Sequence, residues 1–211
     1  MTAVARTVSL CLVFIALVLG MLVYSTLRTP QLSNEELRSR GVFVLPQPRE
    51  LADFRLTDHL GQPFDQQSLQ DGWTFLFFGF THCPDVCPTT MSEMGKAHAA
   101  IRASVDDAEN FRGVLVTVDP ERDTAELLGP YVTAFSQDFV GVLGALEATS
   151  EFALQLHAAF AKVPTGEGGY TVDHTGAIVI INPRGHYHGF IKLPHKAETI
   201  RLAYQSLAAR F

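Results

Sequence analysis

The most restrictive feature of the chain is Thr74-Phe75-Leu76-Phe77-Phe78-Gly79-Phe80, an apolar run that stops at a proline-flanked cysteine pair, Cys83-Pro84-Asp85-Val86-Cys87-Pro88. A half-exposed strand would alternate polar and apolar residues, so a continuous run this short suits a strand buried on both faces. Such a strand needs covering layers on both sides of a sheet, which points to an α/β architecture. The sequence around it agrees. Pro88 to Ile101 predicts a helix with Pro88 at its first position and Met91, Met94, Ala97, His98 and Ile101 at helical spacing. Gly113 to Val118 predicts a strand, Asp123 to Phe135 a helix, Val140 to Leu143 a short strand and Glu151 to Lys162 another helix. After a flexible turn at Gly166-Glu167-Gly168-Gly169, Ala177 to Ile181 and Tyr187 to Ile191 form a hairpin pattern through Asn182-Pro183-Arg184-Gly185, and Ala197 to Arg210 closes as a helix. Upstream, Phe54 to Asp58 and Pro63 to Asp65 predict an N-terminal hairpin about His59 to Gln62. This order predicts a thioredoxin-like fold, a mixed sheet flanked by helices with right-handed crossovers between its parallel strands.

Ahead of this domain, Val8 to Leu27 carries no charge over about 20 residues, enough for a single transmembrane helix. A cleaved signal would have a shorter apolar region and a small-x-small site, and Tyr24-Ser25-Thr26-Leu27-Arg28 offers no Ala-x-Ala. Lipid attachment at Cys11 would need a small residue before it, where Leu10 stands, so Cys11 is assigned as a buried apolar side chain in an uncleaved anchor. Arg6 and the amino terminus favour a cytoplasmic N-terminus, which would leave the rest of the chain in the periplasm, anchored to the inner membrane. The expected organisation is therefore an anchor over 1–28, a tether over 29–50 with Pro30, Pro46 and Pro48 among polar residues, and one domain over 51–211. A hydrophobic fraction of 47% excludes disorder, and a net charge of -6 gives no general attraction to nucleic acid.

The chemistry concentrates at the Cys-x-x-x-Cys pair. Pro84 and Pro88 disfavour helical backbone at the residues before them, which predicts an ordered loop leading into a helix N-terminus, where amide groups favour thiolate over thiol. Two adjacent thiolates can exchange disulfides or bind a soft metal. The loop is one residue wider than the usual oxidoreductase Cys-x-x-Cys, which favours the metal. A third ligand would come from the eight histidines. His174 lies just before the apolar strand Ala177 to Ile181, while His82 adjoins Cys83 but points away from it if strand alternation persists. A structural disulfide and a zinc site are the rival readings, and zinc lacks a fourth ligand. Asp119 and Asp123 flank Arg122, either as caps of the following helix or as support for the cysteine loop; Asp85 and Asp173 carry the same two readings.

Four stretches together resemble the Sco/SenC/PrrC family of membrane-anchored copper proteins: Phe77 to Pro88, Val116 to Thr124, Tyr170 to His174, and Ile181-Asn182-Pro183. The resemblance spans most of residues 51 to 211. It implies a thioredoxin-like fold and copper, as Cu(I), Cu(II) or both, held by Cys83, Cys87 and His174, with Asp85, Asp119 and Asp173 as supporting residues. It further implies a role in maturing the dinuclear copper centre of cytochrome c oxidase, with the subunit bearing that centre as partner and a second periplasmic copper chaperone as a further one. Thioredoxin-type oxidoreductases place a cis-proline where this chain has Asp173-His174-Thr175, which favours metal binding. The same pair could still serve as a thiol-disulfide oxidoreductase or a redox sensor.

Overall fold

The computed structural model describes residues 3–27, 31–104 and 110–211. The chain divides into two units, Met1–Gln31 and Leu32–Phe211. The first contains helix α1 (Ala3–Leu27), whose Val4–Leu22 stretch is long and apolar enough to cross a membrane by length and composition.

The second unit is built on an eight-stranded mixed sheet. Its strands are β1 (Val42–Arg49), β2 (Leu56–Asp58), β3 (Pro63–Phe64), β4 (Trp73–Gly79), β5 (Phe111–Thr117), β6 (Val140–Leu143), β9 (Ile178–Ile181) and β10 (Tyr187–Ile191). They lie side by side in the order β1-β10-β9-β4-β5-β6-β2-β3. Every residue of β4 is buried, as its unbroken apolar run requires. It pairs parallel with β5 and antiparallel with β9, so its C-terminal end lies beside the C-terminal end of β5 and the entry to β9. The crossovers that return the chain to the same edge are α3 (Val86–Arg102), between β4 and β5, and α4 (Ala125–Thr133), between β5 and β6. Helix α3 packs on the closing helix α6 (Ala197–Ala208). Phe75, Phe77, Phe78 and Phe80 are all within 1% of complete burial and tie the two faces into one core. The thioredoxin-like mixed sheet, the β2–β3 hairpin and the β9–β10 hairpin are as the sequence pattern predicts.

Three expectations change. Most of the stretch assigned to a tether is structured: Ser33 and Glu36 form a reciprocal capping box for α2 (Asn34–Ser39), Leu37 and Val42 are completely buried, and β1 pairs antiparallel with β10. Phe43 stacks on Phe190 at 5.1 Å. Pro46 and Pro48, which suggested a linker, are compatible with this strand because it is an edge strand with a shifted register, where a missing N–H breaks no ladder. The predicted helix over Glu151 to Lys162 is also displaced. Helix α5 runs Leu146–Gln155, His157 then takes a left-handed φ of 54°, and the chain emerges as β7 (Phe160–Pro164). That strand pairs with β8 (Tyr170–His174) in a separate two-stranded sheet. Finally, α3 begins at Val86, two residues before Pro88. Proline is tolerated there because the first-turn amides have no acceptor within the helix.

Candidate metal centre

After β4 the buried Phe80 anchors a turn in which the Cys83 amide donates to the Phe80 carbonyl at 3.3 Å. Because α3 starts early, Cys87 lies inside its first turn, and its amide donates to Cys83 Sγ at 3.4 Å. Asp85 occupies the N-cap position, yet its exposed side chain makes no capping bond. The sulfur of Cys83 instead takes one of the orphan helix amides and faces the positive end of the helix dipole. Both thiols are free. Cys83 is partly exposed, whereas Cys87 is completely buried. Burial pushes the Cys87 thiol well up from its usual range, with its bond to Cys83 next in effect. The helix N-terminus therefore does not make a thiolate of Cys87 as the sequence suggested, because desolvation outweighs it. Gly79 is required here: a Cβ would lie 2.9 Å from Cys87 Sγ.

His174, the last residue of β8, closes the site from the opposite side. Its Nε2 is 3.5 Å from Cys87 Sγ and its Nδ1 is 3.4 Å from the Thr175 carbonyl. A carbonyl only accepts, so Nδ1 carries the proton and the Nε2 lone pair faces the sulfur. Burial lowers the His174 pKa, which keeps the ring neutral and able to donate that lone pair. Phe77 and Phe80 hold the imidazole edge-on at 5.5 and 5.9 Å. The ligand atoms of Cys83, Cys87 and His174 all lie within 4.8 Å of one another. His82 takes no part in the cluster. Its side chain is 50% exposed, with Nδ1 bonded to Thr81 Oγ1 at 3.0 Å.

The turn after β5 braces both halves. Asp123 is buried and accepts from the Thr81 amide at 3.0 Å, Thr81 Oγ1 at 2.5 Å and Thr117 Oγ1 at 2.6 Å, which pins the start of the cysteine loop. Asp119, also buried, accepts from Tyr170 Oη at 2.8 Å and is ion-paired with Arg122. Neither acid caps α4, whose N-cap is Thr124. Asp173 projects to the exposed side of β8, where its charge opposes the lowering of the His174 pKa. Thr81, Tyr170 and this use of Asp123 escape a reading by sequence, since each depends on a partner some 40 to 50 residues away. The one local signal is that Thr81 and Tyr170 stand in the same stretches as Cys83 and His174.

The family model described as SCO1/SenC matches residues 45–209. The chain belongs to the SCO1/SenC family. A protein of Stutzerimonas stutzeri, provisionally named copper-binding, is 35% identical over 168 residues, 80% of this chain and 81% of that one. The human mitochondrial SCO1 homolog is 32% identical over 173 residues, 82% of this chain but 56% of that protein, so the chain spans little more than half of its mitochondrial relative. Among solved structures, Bradyrhizobium japonicum ScoI with copper bound is 32% identical with a TM-score of 0.66, covering 73% of this chain and 96% of that one. The donor set of this SCO1/SenC chain fits a soft cation. Two sulfurs and a neutral imidazole suit Cu(I) and, with a further ligand, Cu(II). Burial and the nearby Asp123 both disfavour a thiolate at Cys87, so a bound cation would supply the countercharge that this thiolate lacks.

Proposed function

We propose that this chain is a membrane-anchored copper carrier. Its folded unit holds copper, as cargo, through Cys83, Cys87 and His174, and passes it by ligand exchange to the subunit bearing the dinuclear copper centre of cytochrome c oxidase. The observation that carries the reading is the convergence of two free thiols and a neutral, half-buried imidazole on one point at the end of the central strand. The copper bound in the Bradyrhizobium relative and the family's role in oxidase assembly support it. Helix α1 would serve as the anchor, with Arg6 on the cytoplasmic side and the copper site in the periplasm. A second periplasmic copper chaperone would supply the cargo.

The asymmetry of the pair favours a second reading, in which partly exposed Cys83 attacks a partner's disulfide and buried Cys87 resolves the mixed disulfide, leaving Cys83–Cys87 oxidised and the partner's cysteines reduced. Anaerobic copper titration of the reduced full chain and of His174→Ala, with a competing Cu(I) chelator, separates the two. The carrier reading expects one tightly held copper in the parent, thiolate-to-Cu(II) absorption on oxidation, and loss of that absorption in the variant. Weak binding indifferent to His174, together with ready reduction of a test disulfide, would make thiol exchange the primary activity.

A further inference from the structure

Among the described residues, the hairpin that delivers His174 forms no ladder with the main sheet. Val172 buries its side chain in the core, Phe160 and Tyr170 pack against that core, and a knot of polar side chains ties the hairpin to the turn after β5. Tyr170 Oη donates to Asp119 Oδ1 at 2.8 Å, and Arg122 Nη1 donates to the Tyr170 carbonyl at 3.2 Å. The guanidinium lies over the Tyr170 ring, 4.0 Å from its centroid, while Arg122 Nε is ion-paired with Asp119. On the neighbouring strand Lys162 pairs with Glu121 and sits 4.8 Å from the same ring. Arg122 also lies 5.7 Å from the centroid of Phe80, the ring that meets His174 edge-on. Further along the turn, Asp123 holds the other side of the site through Thr81. One short turn thus grips both the cysteine loop and the histidine strand.

We propose that Asp119, Arg122 and Tyr170 form a latch that sets His174 against the cysteine pair, so that opening the latch withdraws the imidazole and leaves a two-thiol site. This rests on the reading that Cys83, Cys87 and His174 hold copper. Buried Asp119 is already neutralised by Arg122, so the Tyr170 hydroxyl contributes orientation: it ties the first residue of β8 to the turn while His174 ends the same strand. Two thiolates suffice for Cu(I), whereas Cu(II) requires the nitrogen. The latch therefore discriminates between the two ions and governs how readily a coordination position is vacated for an incoming ligand. Tyr170, Arg122 and Asp119 are positioning residues that act through His174.

The test is Tyr170→Phe in the full chain, which keeps the ring and removes only the hydroxyl. Loss of a hydrogen bond to a charged acceptor corresponds to a change of about tenfold or more in the ratio of latched to open forms. Cu(II) affinity should fall with the lost latched fraction, by up to about tenfold, with weakened thiolate-to-Cu(II) absorption and nitrogen hyperfine coupling, while Cu(I) affinity stays within about threefold. In the metal-free protein, amide exchange at Thr171 to His174 should accelerate about tenfold with Phe75 to Phe78 unchanged. Asp119→Asn, of similar size, should move the same readouts in the same direction. Unchanged Cu(II) spectra and hairpin exchange would overturn the latch, and so would a joint fall in both copper affinities with faster exchange throughout, which marks a general structural role. If the parent itself shows no Cu(II)-thiolate signature, the copper reading fails, and the metal-free exchange measurement still decides whether the latch exists.

Discussion

Gly79 and Cys87 compete for one space. A β-carbon at position 79 would sit 2.9 Å from the Cys87 sulfur and 3.0 Å from the Leu115 and Phe77 side chains, so Gly79→Ala must displace this packing, the sulfur first. Overpacking of this kind costs about 1 to 3 kcal/mol and carries Cys87 away from His174. The expected outcome is a lower urea midpoint together with a copper affinity reduced more than about tenfold; a variant that loses stability but binds copper like the parent would show that the sulfur keeps its place. At this scale the two cysteines are legible because strand, prolines and helix start are contiguous in sequence. His174 is legible through the resemblance more than through local pattern. The Asp123–Thr81 and Asp119–Tyr170 bonds are not, because an aspartate just ahead of a helix looks like a cap until the fold brings a better donor to it.

At the scale of elements the consequential difference is β1 with α2. The proline content of residues 29–50 hides an edge strand, since sequence pattern registers the loss of N–H donors and not the edge position that makes the loss harmless. The same limit explains β7: apolar residues after Leu156 continue a helical period, and only the left-handed turn at His157 redirects them into a strand. Central β4, by contrast, is legible because burial on both faces leaves no polar residue in the run beyond Thr74. A chain beginning at Leu51 loses the completely buried Leu37 and Val42 and uncovers the β10 edge, whereas one beginning at Leu32 keeps both. Removing those two side chains forfeits about 3 kcal/mol or more of apolar burial. The shorter form should therefore melt at a lower temperature and associate through the open edge, and equal melting temperatures for the two forms would contradict the role assigned to β1.

For the whole molecule the buried and half-buried histidines shape the response to acid. Burial lowers the pKa of His98, His174 and His195, and takes His188 down to about 4 with help from the Arg210 charge. In the unfolded chain these groups titrate near about 6.5. As pH falls below that value the unfolded state takes up protons that the folded state refuses, so stability falls; the His188 contribution stops changing once pH passes about 4. Thermal unfolding of the metal-free protein should show a melting temperature that declines steadily from about pH 7 to about pH 4.5, with a shallower decline in His188→Gln. A flat profile over that interval would mean that these rings are protonated in the fold.

His174 and Cys87 touch across 87 residues of intervening chain. In an unfolded polypeptide, closing a loop of that length costs roughly 4 kcal/mol, which is a factor of about a thousand in the chance of finding the imidazole beside the sulfurs. The cysteine pair survives as a local feature of any conformation, but the histidine joins it only once β4 and β9 have zipped together. On the proposed topology, a chain threaded across the membrane in extended form would arrive with two donors and acquire the third by folding on the far side. The complete site is in this sense a certificate of folding: its three donor atoms meet only in the folded molecule.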